Sequence, residues 1–293
     1  MRVLVTGSSG LIGSALIPAL QERGHDPVRL RRGDRVAGDL HWDPEAESID
    51  DLSGLDAVIH LAGVGIGARR WSSQQKTAIL DSRTVGTRLL SWAIAQAEPR
   101  PQVLLSASAI GYYGDGGEDE LTEESRSGDD FQATVCVQWE AATAAAAKAG
   151  VRTAHMRTGL VLASHDGVLK RMLLPFKLGL GGRIGSGDQY MSWISLQDTV
   201  GAIIHLLDGS LSGPVNLTAP NPVTNAEFTK TLGDVLGRPT FLPTPLLPLK
   251  AVYGRELVET LLLSSLRVVG TRLSASGYDF KHPTLEQALR TIL

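Results

Sequence analysis

The sequence predicts an α/β fold built on a doubly wound parallel sheet. Three observations predict it. The chain opens on a short apolar run, "RVLVT" at 2–6, the mark of a strand covered on both faces. A glycine-rich turn and a helical pattern follow at once. The same strand-then-helix alternation then recurs through the first half of the chain.

Taken in order, helical periodicity runs through Leu11, Ile12, Ala15, Leu16 and Leu20 and stops at Gly24. "PVRLRR" (27–32) predicts a second strand and "DAVIHLAG" (56–63) another. Residues 72–97 predict a long helix, closed off by Pro99 and Pro101. "QVLLSAS" (102–108) predicts a strand, 130–149 an alanine-rich helix, and "VRTAHMR" (151–157) a further strand. The acidic stretch "DGGEDELTEE" (115–124) is expected to be a solvated loop. After about residue 158 the rhythm changes. "LGLGGRIGSGDQ" and "LTAPNPVTN" are turn-rich, and Thr224 or Asn225 caps a helix that Gly237 ends. The expected organisation is a cofactor domain over 1–160, to which about 190–222 returns. A smaller C-terminal lobe over 161–189 and 223–293 would carry the substrate side of a cleft.

Composition narrows the function classes. The 293 residues are 43% hydrophobic, enough for a large buried core. The net charge of −3 and the lack of a basic run argue against nucleic acid or an anionic membrane as partner, since phosphates are held by clustered Lys and Arg. The single cysteine, Cys136, excludes an internal disulfide and suits a reducing compartment. No apolar run reaches the roughly 20 residues that cross a bilayer. A soluble, cytoplasmic protein is expected, with a small-molecule substrate of unknown identity and an assembly compatible with a homodimer. No metal site is expected: the seven histidines are scattered and none forms an HExxH or Cys/His pair.

The first turn carries the clearest chemistry. "VTGSSGLIGSAL" sets Gly7, Gly10 and Gly13 in GxxGxxG spacing between a strand and a helix. Gly7 permits the tight turn, Gly10 lets a pyrophosphate approach the backbone, and Gly13 allows close helix–strand packing. The helix N-terminus then offers free N–H groups to the anion. At the end of the second strand, where an acid would bind both adenosine ribose hydroxyls, the chain has Arg31 and Arg32. Two guanidiniums suit a 2′-phosphate, which favours NADP over NAD.

The glycines, "VIHLAG", "LLSASAIGYYG" and "SWISLQDTVGAI" stand in an order that resembles the extended short-chain dehydrogenase/reductases, such as nucleotide-sugar epimerases. More closely, "RRWSSQQKTAILDSRTVGT", "RTGLVLASHDGVLKRMLLPFKLGLGGRIGSG" and "GPVNLTAPNPVTNAEF" resemble the signature stretches of the epimerase-family subgroup, an atypical branch with its own C-terminal domain. The resemblance implies a Rossmann-type domain that binds NADP and an oxidoreductase or epimerase activity. It implies that Gly7, Ser9, Gly10, Leu11 and Ile12 hold the pyrophosphate, that Arg31 and Arg32 hold the adenosine end, and that Leu61 and Ala62 lie against the cofactor. Arg83 and Val161 would be further cofactor contacts. For Leu61 and Ala62, plain packing is a nearly equal alternative.

The catalytic set of such enzymes is Asn, Ser or Thr, Tyr and Lys. Aligned by local motif, Arg83 stands at the Asn place and Ser108 at the Ser place, followed by Tyr112 and Tyr113. Gln132 and Cys136 stand where Tyr and Lys are expected. Without the Lys ammonium a phenol keeps a pKa of about 10, which makes it a poor base but still an acid. The expectation is therefore an NADP(H)-dependent protein that reduces or epimerises a small polar carbonyl or sugar-like substrate. Ser108, Tyr112 and Tyr113 are its candidate catalytic residues. The alternative is a non-catalytic NADPH-binding sensor or interaction module.

Overall fold

The structure, a computed structural model, describes residues 1–67 and 69–293. Its centre is an eight-stranded sheet. The strands are β1 (Arg2–Thr6), β2 (Asp26–Arg31), β3 (Leu40–Asp43), β4 (Ser48–Ile49), β5 (Ala57–His60), β6 (Val103–Ala109), β8 (Arg152–Thr158) and β12 (Gly213–Leu217). They lie in the order β12-β8-β6-β5-β1-β2-β3-β4. All neighbours are parallel except β3 and β4. The order reverses between β1 and β5, so the chain leaves β1 to one side and β5 to the other. That divergence opens the crevice in which doubly wound sheets hold ligands.

Helices α1 (Leu11–Glu22), α2 (Ser73–Gln96), α3 (Phe131–Ala141), α4 (Ala144–Lys148) and α6 (Leu196–Asp208) cover the two faces. One core packs Val3, Val5, Ile59 and Leu105 against Leu16 and Leu20 of α1 and Ile203 and Leu207 of α6. The other packs Leu4, Val58 and Leu104 against Leu90 and Ile94 of α2. Successive strand residues face opposite sides, so strands that are apolar throughout feed both cores.

The second half adds the short strands β7 (Glu120–Leu121), β9 (Leu160–Leu162), β10 (Tyr190–Met191) and β11 (Trp193–Ser195), and helix α5 (Gly167–Lys177). Helix α7 (Asn225–Leu236) begins with a capping box between Thr224 and Glu227 and ends at Gly237 in the left-handed conformation, φ 62°. Helices α8 (Leu246–Tyr253), α9 (Arg255–Val258), α10 (Thr271–Ala275) and α11 (Leu285–Ile292) complete the chain. Phe228, Leu232 and Leu289 form a third core with Trp193 and Phe176. No described helix is long and apolar enough to cross a membrane.

Three expectations differ from the observed elements. Strands β3 and β4 were not legible, because only Trp42 of the first is buried and its polar neighbours give no alternation. The alanine-rich helix is two helices. Thr143 breaks it, its hydroxyl donating to the Glu140 carbonyl and meeting His155 Nε2 at 2.9 Å; such back-bonding by a mid-helix Thr competes with the helical ladder. The acidic stretch 115–124 is not simply a solvated loop. Glu123 is buried, and its carboxylate accepts hydrogen bonds from Asn216 N, Thr271 Oγ1 and Arg272 N.

Candidate cofactor and active site

The turn after β1 is shaped by contact between backbones. Gly7 has φ +64°, and a side chain there would lie 2.8 Å from the Leu61 carbonyl carbon. A Cβ on Gly13 would overlap the Gly7 carbonyl oxygen. Helix α1 thus begins directly against the turn, as only glycines allow. Gly10 caps α1 in an extended conformation with no side chain bonded to the first-turn amides, and Ser9 is exposed beside it. The amides at Leu11 and Ile12 have no side-chain cap, and such free N–H groups hold phosphate at helix N-termini. Val161 in β9 lies close to this end: its carbonyl and the Leu11 side chain both border Gly167, the first residue of α5.

Leu61 and Ala62 form the shelf opposite. Their amides donate to Thr6 Oγ1 at 3.0 and 3.1 Å. Thr6 Oγ1 meets His60 Nδ1 at 2.7 Å, and His60 Nε2 meets Thr87 Oγ1 at 2.8 Å. The hydroxyl of Thr87 already donates to the Arg83 carbonyl and accepts from Trp139 Nε1. His60 must therefore carry its hydrogen on Nε2, and Nδ1 must accept from Thr6. Complete burial pushes this imidazole down to about 4, so it is neutral, as both hydrogen bonds require. His60 is the hub of a relay that fixes the shelf's amides. Nothing local in the sequence marks the two threonines that hold it.

Arg83 lies under the next turn of chain. Its guanidinium donates to the carbonyls of Val64 and Ile79 and stacks 4.9 Å over the Trp139 ring. Burial lowers its pKa, partly offset by Cys136. Among the described residues no carboxylate pairs with it. A half-buried guanidinium answered only by neutral groups is suited to an anionic or strongly polar ligand. At the end of β2, Arg31 Nη1 pairs with Asp39 Oδ2 at 3.2 Å, and Arg32 is exposed.

At the end of β6 the geometry tests the three candidate catalytic residues. Ser108 is buried and its hydroxyl donates to Glu140 Oε1 at 2.7 Å. Arg157 grips the same carboxylate in a fork, Nε to Oε1 at 2.8 Å and Nη2 to Oε2 at 2.9 Å. Its Nη1 donates to the Tyr113 hydroxyl at 3.0 Å, which donates to Asn216 Oδ1 at 2.7 Å. Ser108 and Tyr113 therefore spend their hydrogens inside the protein. Burial raises the Tyr113 pKa against the opposing pull of Arg157. For Arg157, burial alone would lower the pKa, but the hydrogen bonds and charge of Glu140 reverse it, and the net shift is upward. Tyr112 differs. Its ring lies 3.4 Å from the Arg157 guanidinium carbon, it is half-buried, and its hydroxyl makes no hydrogen bond among the described residues.

Helix α3 faces this cluster. Asp130 caps it, Gln132 packs on the Gly111 backbone, and Cys136 reaches Ser108 and Ala109. Burial pushes the Cys136 thiol up to about 12, so it is an inert packing group rather than a nucleophile. Glu140 and Arg157 are the site residues that sequence reading missed. Glu140 lies on α3 and Arg157 on β8, and nothing local in the sequence announces an ion pair between them.

Residues 3–217 match the pattern of the NAD dependent epimerase/dehydratase family. The chain belongs to that family. Residues 244–292 match a second pattern, a domain of unknown function. The chain is 45% identical over 291 residues to epimerase family protein MT2273 of Mycobacterium tuberculosis, covering 98% of this chain and 96% of the relative. It is 38% identical to human epimerase family protein SDR39U1 over the whole of both chains. The crystal structure of that human protein with NADPH superimposes with a TM-score of 0.93, covering 100% of this chain and 99% of the other. A nucleoside-diphosphate sugar epimerase from Corynebacterium glutamicum, 35% identical, superimposes with a TM-score of 0.82 over 100% of this chain and 58% of its own. The Rossmann-type doubly wound fold is shared with these members of the family.

Proposed function

We propose that the protein binds NADPH and reduces a small polar carbonyl compound, with Tyr112 as proton donor. The observation that carries this reading is the state of the hydroxyls after β6. Two are committed to internal acceptors, and the Tyr112 phenol, held against the Arg157 guanidinium, is uncommitted. NADPH is supported by the glycine turn, the uncapped start of α1, the arginines ending β2, and the likeness to human SDR39U1, whose crystal structure contains NADPH. The first-turn amides of α1 would hold the pyrophosphate, Leu61 and Ala62 would back the cofactor, and Arg83 and Val161 would flank it. The bound nicotinamide supplies a hydride to the carbonyl carbon. The carbonyl oxygen then gains the electron pair of its π bond and takes the Tyr112 proton; water reprotonates the phenolate. No Lys assists the reverse step, which needs a phenolate base. This favours reduction over a freely reversible epimerisation.

The test is NADPH oxidation against a panel of small polar aldehydes and ketones. Tyr112→Phe is expected to lower turnover by about 10²–10⁴-fold, the usual range for a general acid, while NADPH affinity is kept. Turnover that survives Tyr112→Phe discredits the assignment. The internally committed Ser108 and Tyr113 hydroxyls favour a second reading, an NADPH-binding module that does no chemistry. Tight NADPH binding with no turnover on any compound would support that reading instead.

A further inference from the structure

We infer that Asp39 is a specificity-determining residue for the nucleotide, working against the 2′-phosphate beside Arg31. The inference rests on the NADP reading above and concerns how strongly that preference is expressed. The end of β2 has no acid of its own, yet the neighbouring strand supplies one. The register of β2 and β3 sets Leu30 beside Leu40 and Arg31 beside His41, so Asp39 precedes β3 two residues before the partner of Arg31, and the Arg31 side chain reaches back to it at 3.2 Å. A turn holds it there: Asp39 N donates to the Val36 carbonyl at 3.1 Å, and Gly38 has φ +86°. The Asp39 side chain is only 11% exposed while that of Arg31 is 48% exposed. The acid is thus the fixed partner, and the guanidinium is the one that can move. Of the other arginines here, Arg35 is held in a fork by Asp50. Arg32 has no ion pair among the described residues.

The chemistry follows from charge. A 2′-phosphate brings one to two negative charges to a guanidinium that already bears a carboxylate. It must either share Arg31 and stand near Asp39, or displace Asp39 and leave it unpaired. Both weaken its binding. A plain ribose diol brings no charge, and its hydroxyls can donate to the Asp39 carboxylate, as to the acid that other dinucleotide sites place on β2. Asp39 therefore draws the preference back from NADPH toward NADH, leaving Arg32 as the main uncommitted cation for the phosphate.

The experiment measures NADPH and NADH dissociation constants by nicotinamide fluorescence for the full chain, Asp39→Asn and Asp26→Asn. The last removes the same charge from the exposed far end of β2. In Asp39→Asn the ratio of the NADH to the NADPH dissociation constant is expected to rise about tenfold, the effect of removing one like charge near the surface. In Asp26→Asn it is expected to stay within about twofold, since charges beyond a screening length contribute little. Tight NADPH binding with an unchanged ratio in Asp39→Asn overturns the inference alone. So does an equal rise in Asp26→Asn, which would make the effect one of net charge. A full chain that binds neither nucleotide overturns the NADP reading and this inference together.

Discussion

Acidification attacks this fold at His60. In the unfolded chain its imidazole titrates near the ordinary value of 6.5; in the fold burial holds it down to about 4. A depressed histidine pKa means that its contribution to stability is complete above pH 6.5 and is lost as the pH falls toward 4. The difference of about 2.5 in pKa, at about 1.4 kcal/mol for each pH unit, is about 3.5 kcal/mol, of which about 2 kcal/mol is gone by pH 5. That is a large share of the roughly 5–15 kcal/mol that holds a typical domain together. The damage is also local. Protonation would put a hydrogen on Nδ1, where Thr6 already offers one, and so disturb the hydroxyl that holds the Leu61 and Ala62 amides. The assay is urea unfolding of the wild type and His60→Gln at about pH 7.5 and about pH 5. The variant is less stable at the higher pH, but the gap between the two proteins narrows by about 2 kcal/mol at the lower, because glutamine does not titrate. A gap that stays constant, or a His60 resonance that titrates near its ordinary value in the folded protein, would refute the relay.

Two further outcomes are expected. Gly13→Ala places a methyl against the Gly7 carbonyl oxygen; it should abolish measurable NADPH binding by equilibrium titration and cost about 1–3 kcal/mol in a denaturant melt, the usual range for overpacking. Glu140→Gln leaves the Arg157 guanidinium buried without its carboxylate; breaking such a pair costs about 3–5 kcal/mol, which thermal unfolding would register as a clear loss of melting temperature.

What could be read from the sequence was what is decided locally. A glycine is required where the Gly7 turn meets Leu61 and where α1 begins on that turn, and the residue type itself records the requirement. The strands β1, β5 and β6 announce themselves because burial on both faces gives each an unbroken apolar run, Val3–Val5, Ala57–Ile59 and Val103–Leu105. The relay through Thr6, His60 and Thr87 was out of reach, since its members are far apart in the chain and none has an unusual neighbour. The same holds for Glu140 and Arg157. Ser108 and Tyr113 were found by motif, but a motif records which side chain is present and not where its hydrogen goes. Only the fold shows that Glu140 and Asn216 receive those hydrogens. Asp39 was missed for a related reason: the acid sought on β2 lies just before a strand too polar to be recognised.

The buried carboxylate of Glu123 has a consequence for how this protein could be cut or recombined. It joins the backbone of Asn216 in the sheet to Thr271 and Arg272 near the C-terminus, and so spans the two segments matched by separate family patterns. Chain fission between those segments would take the Thr271 and Arg272 donors from the Glu123 carboxylate on one piece and expose Val268 and Leu273 on the other. A chimera that exchanged the C-terminal segment for an unrelated one would inherit the same defect unless it brought its own hydroxyl and amide to the same point. The seam visible in the sequence is therefore no seam in the molecule, and the two segments are expected to be inherited, expressed and lost together.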